Sequence, residues 1–256
     1  MFNKNTVKNT RIKLILLSTI LVLAAYVFAN ADILFVDDFE KDEIGKEPSK
    51  WEHFDFFGGN SHFTIGEDPT DSKNKLVKTT GIGQYVPNVA GRENWGDYIW
   101  DFDWIWENDS FVGTLYRIED ADNCFHASRR TGGTDFQIYA CKGAWGGALV
   151  TSQYPNELNV WYSHRLVLKG SKHEIYLKER SEELPPPDWH LELEPVVELD
   201  DDTFKKGPVG MMGITSGVSY FDNMVVVESL QDLQKLRPVD HRGKLTTTWS
   251  FIKKQY

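Results

Sequence analysis

His126, Ser128, Arg130, Gln137 and Tyr139 place an imidazole, a hydroxyl, a guanidinium, an amide and a phenol within one short stretch. Gly132-Gly133, between two strand-like runs, is a two-residue turn signal. If the chain folds back there, His126 faces Tyr139, Ser128 faces Gln137, Arg130 faces Asp135 and Cys124 faces Cys141. Alternation along each strand then separates these polar groups from Phe125, Ala127, Phe136, Ile138 and Ala140. Such a face offers directional hydrogen bonds and rings to stack on. A ligand with hydroxyls at its rim and an apolar C–H face needs that mixture. An antiparallel sheet also turns polar residues to water without any ligand.

A second constellation is the run Tyr98–Trp106. Tyr98, Trp100, Phe102, Trp104 and Trp106 share one parity; Ile99, Asp101, Asp103 and Ile105 share the other. The aromatics read as core, and the two aspartates as outward, solvated acids. The histidines are scattered, with no H-E-x-x-H spacing, so a zinc site is not indicated. There is no G-x-S-x-G elbow and no phosphate-cradling glycine motif. With 38 acidic and 28 basic residues, a formal charge of -10, the chain lacks the clustered positive charge that phosphate recognition requires. Asn108-Asp-Ser110 is a glycosylation sequon, relevant only in a eukaryotic source.

The elements that must position these residues read as strands. Aromatic and β-branched runs at 33–39, 62–65, 75–79, 98–106, 112–118, 124–129, 135–141, 148–153, 161–169, 173–178, 209–214 and 218–228 are separated by Gly, Asn, Asp and Pro. Many strands with short turns predict a two-layer all-β fold. A second hairpin turns at Gly170-Ser171, with Tyr162, His164, Leu166 and Leu168 meeting Ile175 and Leu177 on one face. Pro185, Pro186 and Pro187 mark an irregular insertion, and Trp189 at its end is either a packing anchor or a group overhanging a ligand. A short helix is expected near 231–237, and Leu245, Trp249 and Ile252 recur at helical spacing beyond it.

Residues 1–31 read as a signal peptide. Lys4, Lys8, Arg11 and Lys13 precede an apolar run at 14–29, which ends in Ala29-Asn30-Ala31, a small-x-small cleavage signature. The run is shorter than a membrane-spanning helix requires. The expected product is an acidic secreted or periplasmic protein with no membrane association after cleavage. Its sandwich domain covers 32–230 and a tail covers 231–256. Export to an oxidising compartment, with Cys124 and Cys141 on a non-hydrogen-bonded pair, predicts a disulfide between them.

The order of motifs resembles the concanavalin A-like lectin/glucanase superfamily, in particular the laminin-G-like and DUF1080-like modules of secreted bacterial proteins. The carriers are Phe35-Val-Asp-Asp-Phe-Glu with Gly45, Pro48 and Trp51; Trp95-Gly-Asp-Tyr98; Val112-Gly-Thr-Leu-Tyr-Arg117; Trp161-Tyr162; Gly207-x-Val-Gly210; and Phe221-Asp-Asn223. The resemblance covers roughly 33–228. It implies a jelly-roll of two antiparallel sheets, one of them concave, in modules that bind sugars, hydrolyse or eliminate polysaccharides, or mediate adhesion. Some relatives hold a structural Ca²⁺ where first and last strands meet; here Asp38, Glu40 and Asp222 are the matching oxygen donors, fewer than calcium needs.

The glucanase branch carries acids at alternate strand positions, because acids two apart share a face and retaining hydrolysis needs carboxyls about 5–5.5 Å apart. Asp101 and Asp103 match, but the third acid is missing and Glu107 stands one step too late. A lyase would need a base with a cation beside it, which His126, Tyr139 and Arg130 could supply. The leading expectation is non-catalytic glycan binding at His126, Ser128, Arg130, Gln137 and Tyr139. A polysaccharide hydrolase or lyase comes second and an adhesion or envelope-structural module third.

Overall fold

A computed structural model describes residues 33–55, 58–108, 111–130, 135–155, 157–181, 184–214 and 217–236. The first 32 residues, the Gly132-Gly133 turn and the tail beyond Leu236 lie outside the described residues, as do the signal-peptide and Trp249 readings.

From Ile33 onward the strands form two antiparallel sheets. The larger contains β1 (Ile33–Asp37), β3 (Thr64–Glu67), β4 (Lys75–Thr80), β6 (Tyr98–Trp106), β11 (Tyr162–Lys169), β12 (Lys172–Glu179), β13 (Val197–Asp200) and β15 (Val218–Val227). Its path runs β13-β12-β11-β6-β15-β4-β3, with β1 paired to β15. The smaller contains β2 (Trp51–His53), β5 (Gly83–Pro87), β7 (Phe111–Asp120), β8 (Asn123–Arg130), β9 (Asp135–Lys142), β10 (Ala148–Gln153) and β14 (Gly210–Gly213), in the order β10-β9-β8-β7-β14-β5-β2. The expected two-sheet antiparallel sandwich is the observed fold. Sequence reading passes over β2, β5 and β13, each too short or too rich in Gly and Pro to show alternation.

The core follows from period two. Trp100, Phe102 and Trp104 of β6 point between the sheets with Tyr162, Leu166 and Phe221, against Phe125, Phe136 and Ile138 of the smaller sheet. Large rings bury the most apolar area per residue. Charge lies among them too. Arg129 on β8 is 1% exposed, with its guanidinium 4.4 Å from the Tyr162 ring, 4.8 Å from Trp106, 5.0 Å from Trp104 and 5.2 Å from Tyr154. Ring faces partly replace the water such a cation loses, and burial lowers its pKa to about 9.

Among the described residues, a helix and the proline insertion cover the outer side of the larger sheet, and a cluster of the sheet's own side chains completes it. Helix α1 (Leu230–Leu236) lays Leu233 and Leu236 on Ile99, Val225 and Val227. Ser229 starts it as a cap, its Oγ accepting from the Asp232 N–H at 3.3 Å. The proline insertion lies over the middle, and Leu76, Ile105, Trp161 and Tyr220 close the far end.

Candidate functional site

The pairing of β8 with β9 follows the predicted register: His126 opposite Tyr139, Ser128 opposite Gln137, Cys124 opposite Cys141. Arg130 ends β8, but its side chain is outside the described atoms. The outer side of the smaller sheet therefore carries the candidate face. Its floor is apolar, made by Leu115, Val86, Met212 and the two cysteines.

His126 lies at the centre, 2% exposed. Tyr139 stacks on it at 5.6 Å, and Trp145 meets it edge-on at 4.9 Å. Neither ring nitrogen has a hydrogen-bond partner among the described residues. Burial lowers its pKa to about 3, so the ring is neutral at ordinary pH. Gly113 on β7 makes the room: a Cβ there would stand 2.4 Å from His126 Nε2. A polar relay runs outward, Tyr139 Oη donating to Gln137 Oε1 and Gln137 Nε2 donating to Thr151 Oγ1 at 3.3 Å. Ser128 is buried beside Gly113. Asp135, at the outer end, is exposed and accepts from Gln153 Nε2 at 2.6 Å. The rim is apolar, with Trp145 45% and Leu149 43% exposed. Sequence reasoning missed Trp145; its signal was an aromatic residue among glycines, Gly143-Ala-Trp-Gly-Gly, directly after β9.

The arrangement can stack on and hydrogen-bond a neutral polyhydroxyl ligand. The cation of the lyase reading is Arg130, whose side chain lies outside the described atoms.

The cysteines are neighbours, as the register predicts, but both are free buried thiols in this structure rather than a disulfide. Register fixes proximity, whereas bond formation depends on an oxidant. Cys124 donates to Cys141, and burial holds its pKa well above the usual thiol range.

Asp101 and Asp103 correct the sequence reading. They face outward from the larger sheet but are 4% and 3% exposed, not solvated. Arg165 grips Asp101 with two hydrogen bonds of 2.6 Å. It also donates to Pro187 O and to His190 Nδ1, and Trp189 stacks 5.3 Å from its guanidinium. Trp189 is thus the insertion's packing anchor. Asp103 accepts from Ser163 at 2.6 Å, Asn223 at 2.8 Å and Arg180 at 3.3 Å. Carboxylates committed to such pairs do not resemble a free acid and nucleophile.

Asp38 and Glu40 lie in the loop after β1. Asp38 Oδ1 accepts from the Glu40 N–H, and Glu40 Oε1 from the Lys75 N–H. Asp222 is buried in β15, accepting from Asn74 at 2.9 Å, and burial raises its pKa to about 7. Among the described residues no three His, Cys, Asp or Glu side chains gather as a metal-holding group.

No protein-family model matches this chain, and no curated protein matches it. Solved structures do. Carbohydrate-binding module CBM66 from Bacillus subtilis is similar over 70% of this chain and 95% of its own, with 16% identity and a TM-score of 0.50. Domain 4 of AbnA, a GH43 extracellular arabinanase from Geobacillus stearothermophilus seen with arabinotriose, is similar over 80% and 98%, with 8% identity and a TM-score of 0.52. A Bacillus subtilis protein of unknown function with a galectin-like fold gives 12% identity over 77% and 96%, with a TM-score of 0.52. These likenesses define the class by fold: an all-β, galectin-like sandwich.

Proposed function

We propose that this protein is a non-catalytic, carbohydrate-binding β-sandwich whose ligand is a neutral glycan. The observation that carries the reading is His126, a buried neutral imidazole with both nitrogens unpartnered among the described residues, set between Tyr139 and the exposed Trp145. An unmatched buried polar group costs roughly 1–3 kcal/mol, which ligand hydroxyls would recover. Trp145 and Tyr139 supply surfaces for C–H faces; Gln137 and Thr151 supply directional partners. CBM66 and the arabinanase domain support the reading, being sugar-associated modules on the same fold. Location outside the cytoplasm and a glycan partner belong to this proposal.

Titration calorimetry against neutral oligosaccharides, arabinotriose included, tests it. Binding that falls at least about tenfold in His126→Phe, or roughly 1.4 kcal/mol, is expected. Release of reducing ends or unsaturated products from the same panel would show an enzyme instead. Absence of binding across the panel would overturn the proposal.

A further inference from the structure

A separate pocket of about 540 Å³ opens at the far end of the larger sheet, on its outer side. Its walls are the 68–74 turn between β3 and β4, Trp161 before β11, and Arg180 and Ser181 after β12. The volume falls within the ~300–1,000 Å³ common for small-molecule sites.

The walls are fixed from behind. Asp68 Oδ1 accepts from the Thr70 N–H and Oγ1, both at 2.7 Å, and Trp161 Nε1 donates to the same Thr70 oxygen at 3.1 Å. Asn74 Nδ2 reaches Asp68 at 3.2 Å and Asp222 at 2.9 Å. A bulge in β15 sets Asn223 at φ 54°, a left-handed conformation that asparagine tolerates, and its amide spans Asp103 and Asp222. Arg180 stacks 4.8 Å over Trp161 and gives one nitrogen to Asp103 at 3.3 Å. Its backbone N–H donates to Trp161 O at 2.8 Å, and Asp103 is the one side-chain acceptor of its guanidinium among the described residues. Asp71 is exposed, and one of its carboxylate oxygens accepts from the Lys73 N–H at 3.0 Å.

We propose that this pocket is a second glycan subsite, taking one neutral sugar ring with vicinal hydroxyls. One hydroxyl accepts from Arg180 while its neighbour donates to Asp71. Asp68 and Asp71 on its wall disfavour an anionic ligand. The inference shares the class of ligand with the His126 reading but not the site. The two sites look out from opposite sides of the sandwich, so one molecule engages two chains, or two stretches of one chain, and gains avidity without new contacts.

The test uses the two indole N–H signals as separate reporters. The ¹⁵N-labelled protein is titrated with arabinose, xylose, glucose, galactose, mannose and fructose to tens of millimolar, reaching the roughly 4 kcal/mol of a millimolar complex. The expected result is a saturable shift of the Trp161 signal with at least one sugar, retained in Trp145→Ala. In Asp71→Ala, which changes an exposed side chain, and in Arg180→Lys, the same shift needs at least about fivefold more sugar, roughly 1 kcal/mol. A Trp161 signal unmoved by every sugar overturns the proposal, as does a response lost with Trp145 or unaltered in Asp71→Ala. A Trp161 response with Trp145 silent sustains this pocket and sinks the His126 reading; the reverse does the opposite.

Discussion

Asp101 and Asp103, on the outer side of the larger sheet, are met by Arg165, Ser163, Asn223 and Arg180. His126, equally buried on the outer side of the smaller sheet, has no hydrogen-bond partner among the described residues. Both faces began as alternating strands with polar residues turned away from the core. The proline insertion and α1 roofed one of them, and desolvated charge under a roof must be paired internally. The other has an apolar rim and a neutral ring in place of charges. Around Asp101 and Asp103 the first face is built for cohesion; around His126 the second retains hydrogen-bonding capacity that the fold does not consume.

The contrast breaks most sharply at Arg165. Arg165→Met leaves Asp101 buried without its guanidinium, and a loss of roughly 3–5 kcal/mol in urea unfolding is expected. Asp101→Leu combined with Arg165→Met restores most of that loss, because an apolar pair of similar volume has no desolvation to offset. Glycan affinity stays unchanged in the double variant. If the single variant loses less than about 1 kcal/mol, the pair behaves as an exposed one and the roof does not exclude water.

How much of this was readable depended on the range of the interaction. The β8–β9 register was legible because Gly132-Gly133 and two alternating strands fix it locally, and it placed His126, Tyr139 and both cysteines correctly. The parity of Asp101 and Asp103 was equally legible. Their burial was not, since it depends on Trp189 and Pro187 more than eighty residues away. Trp145 escaped because a loop residue has no periodicity to betray it. Gly113 stood inside a recognisable motif, yet only the folded neighbour shows that its missing Cβ accommodates the imidazole. The pocket beside Trp161 joins three chain segments, and no single stretch announces it.

The cysteine pair is where the smaller sheet can be made as cohesive as the larger. We expect oxidation to link Cys124 and Cys141 and to stabilise the protein by about 3 kcal/mol, the loop-closure value for a ring of this size. Intact mass after alkylation, with and without prior reduction, reports the state. Two alkylated cysteines in unreduced, exported protein would refute the bridge.

Acidity separates the faces by a different route. His126 stays neutral in the fold down to about pH 3, whereas the unfolded chain binds that proton near pH 6.5. Its contribution is therefore complete above pH 6.5 and declines as the pH falls toward 3. At pH 5 the loss is about 2 kcal/mol relative to pH 7. Asp37 and Asp222 act in the opposite sense, because burial raises them to about 6 and about 7, so falling pH favours their folded form. Comparing wild type with His126→Phe cancels the aspartates. The variant should lose about 2 kcal/mol less between pH 7 and pH 5. Identical pH dependence in the two proteins would mean that the imidazole takes up its proton without unfolding.

The smallest expected change in stability, and the most telling for function, is at Trp145. Nearly half its surface is exposed, and it sits in a loop outside the main core. Trp145→Ala should move the urea midpoint by less than the equivalent of about 0.5 kcal/mol, as surface substitutions usually do. Glycan affinity should fall about tenfold as a stacking surface is removed. Leu191→Ala supplies the matched control: it removes a side chain from a residue 67% exposed on the insertion over the larger sheet. It should leave both quantities unchanged. If Trp145→Ala destabilises the protein by more than about 1 kcal/mol while binding persists, the indole serves as a lid holding His126 in place. The two outer faces would then differ only in the material of their roofs.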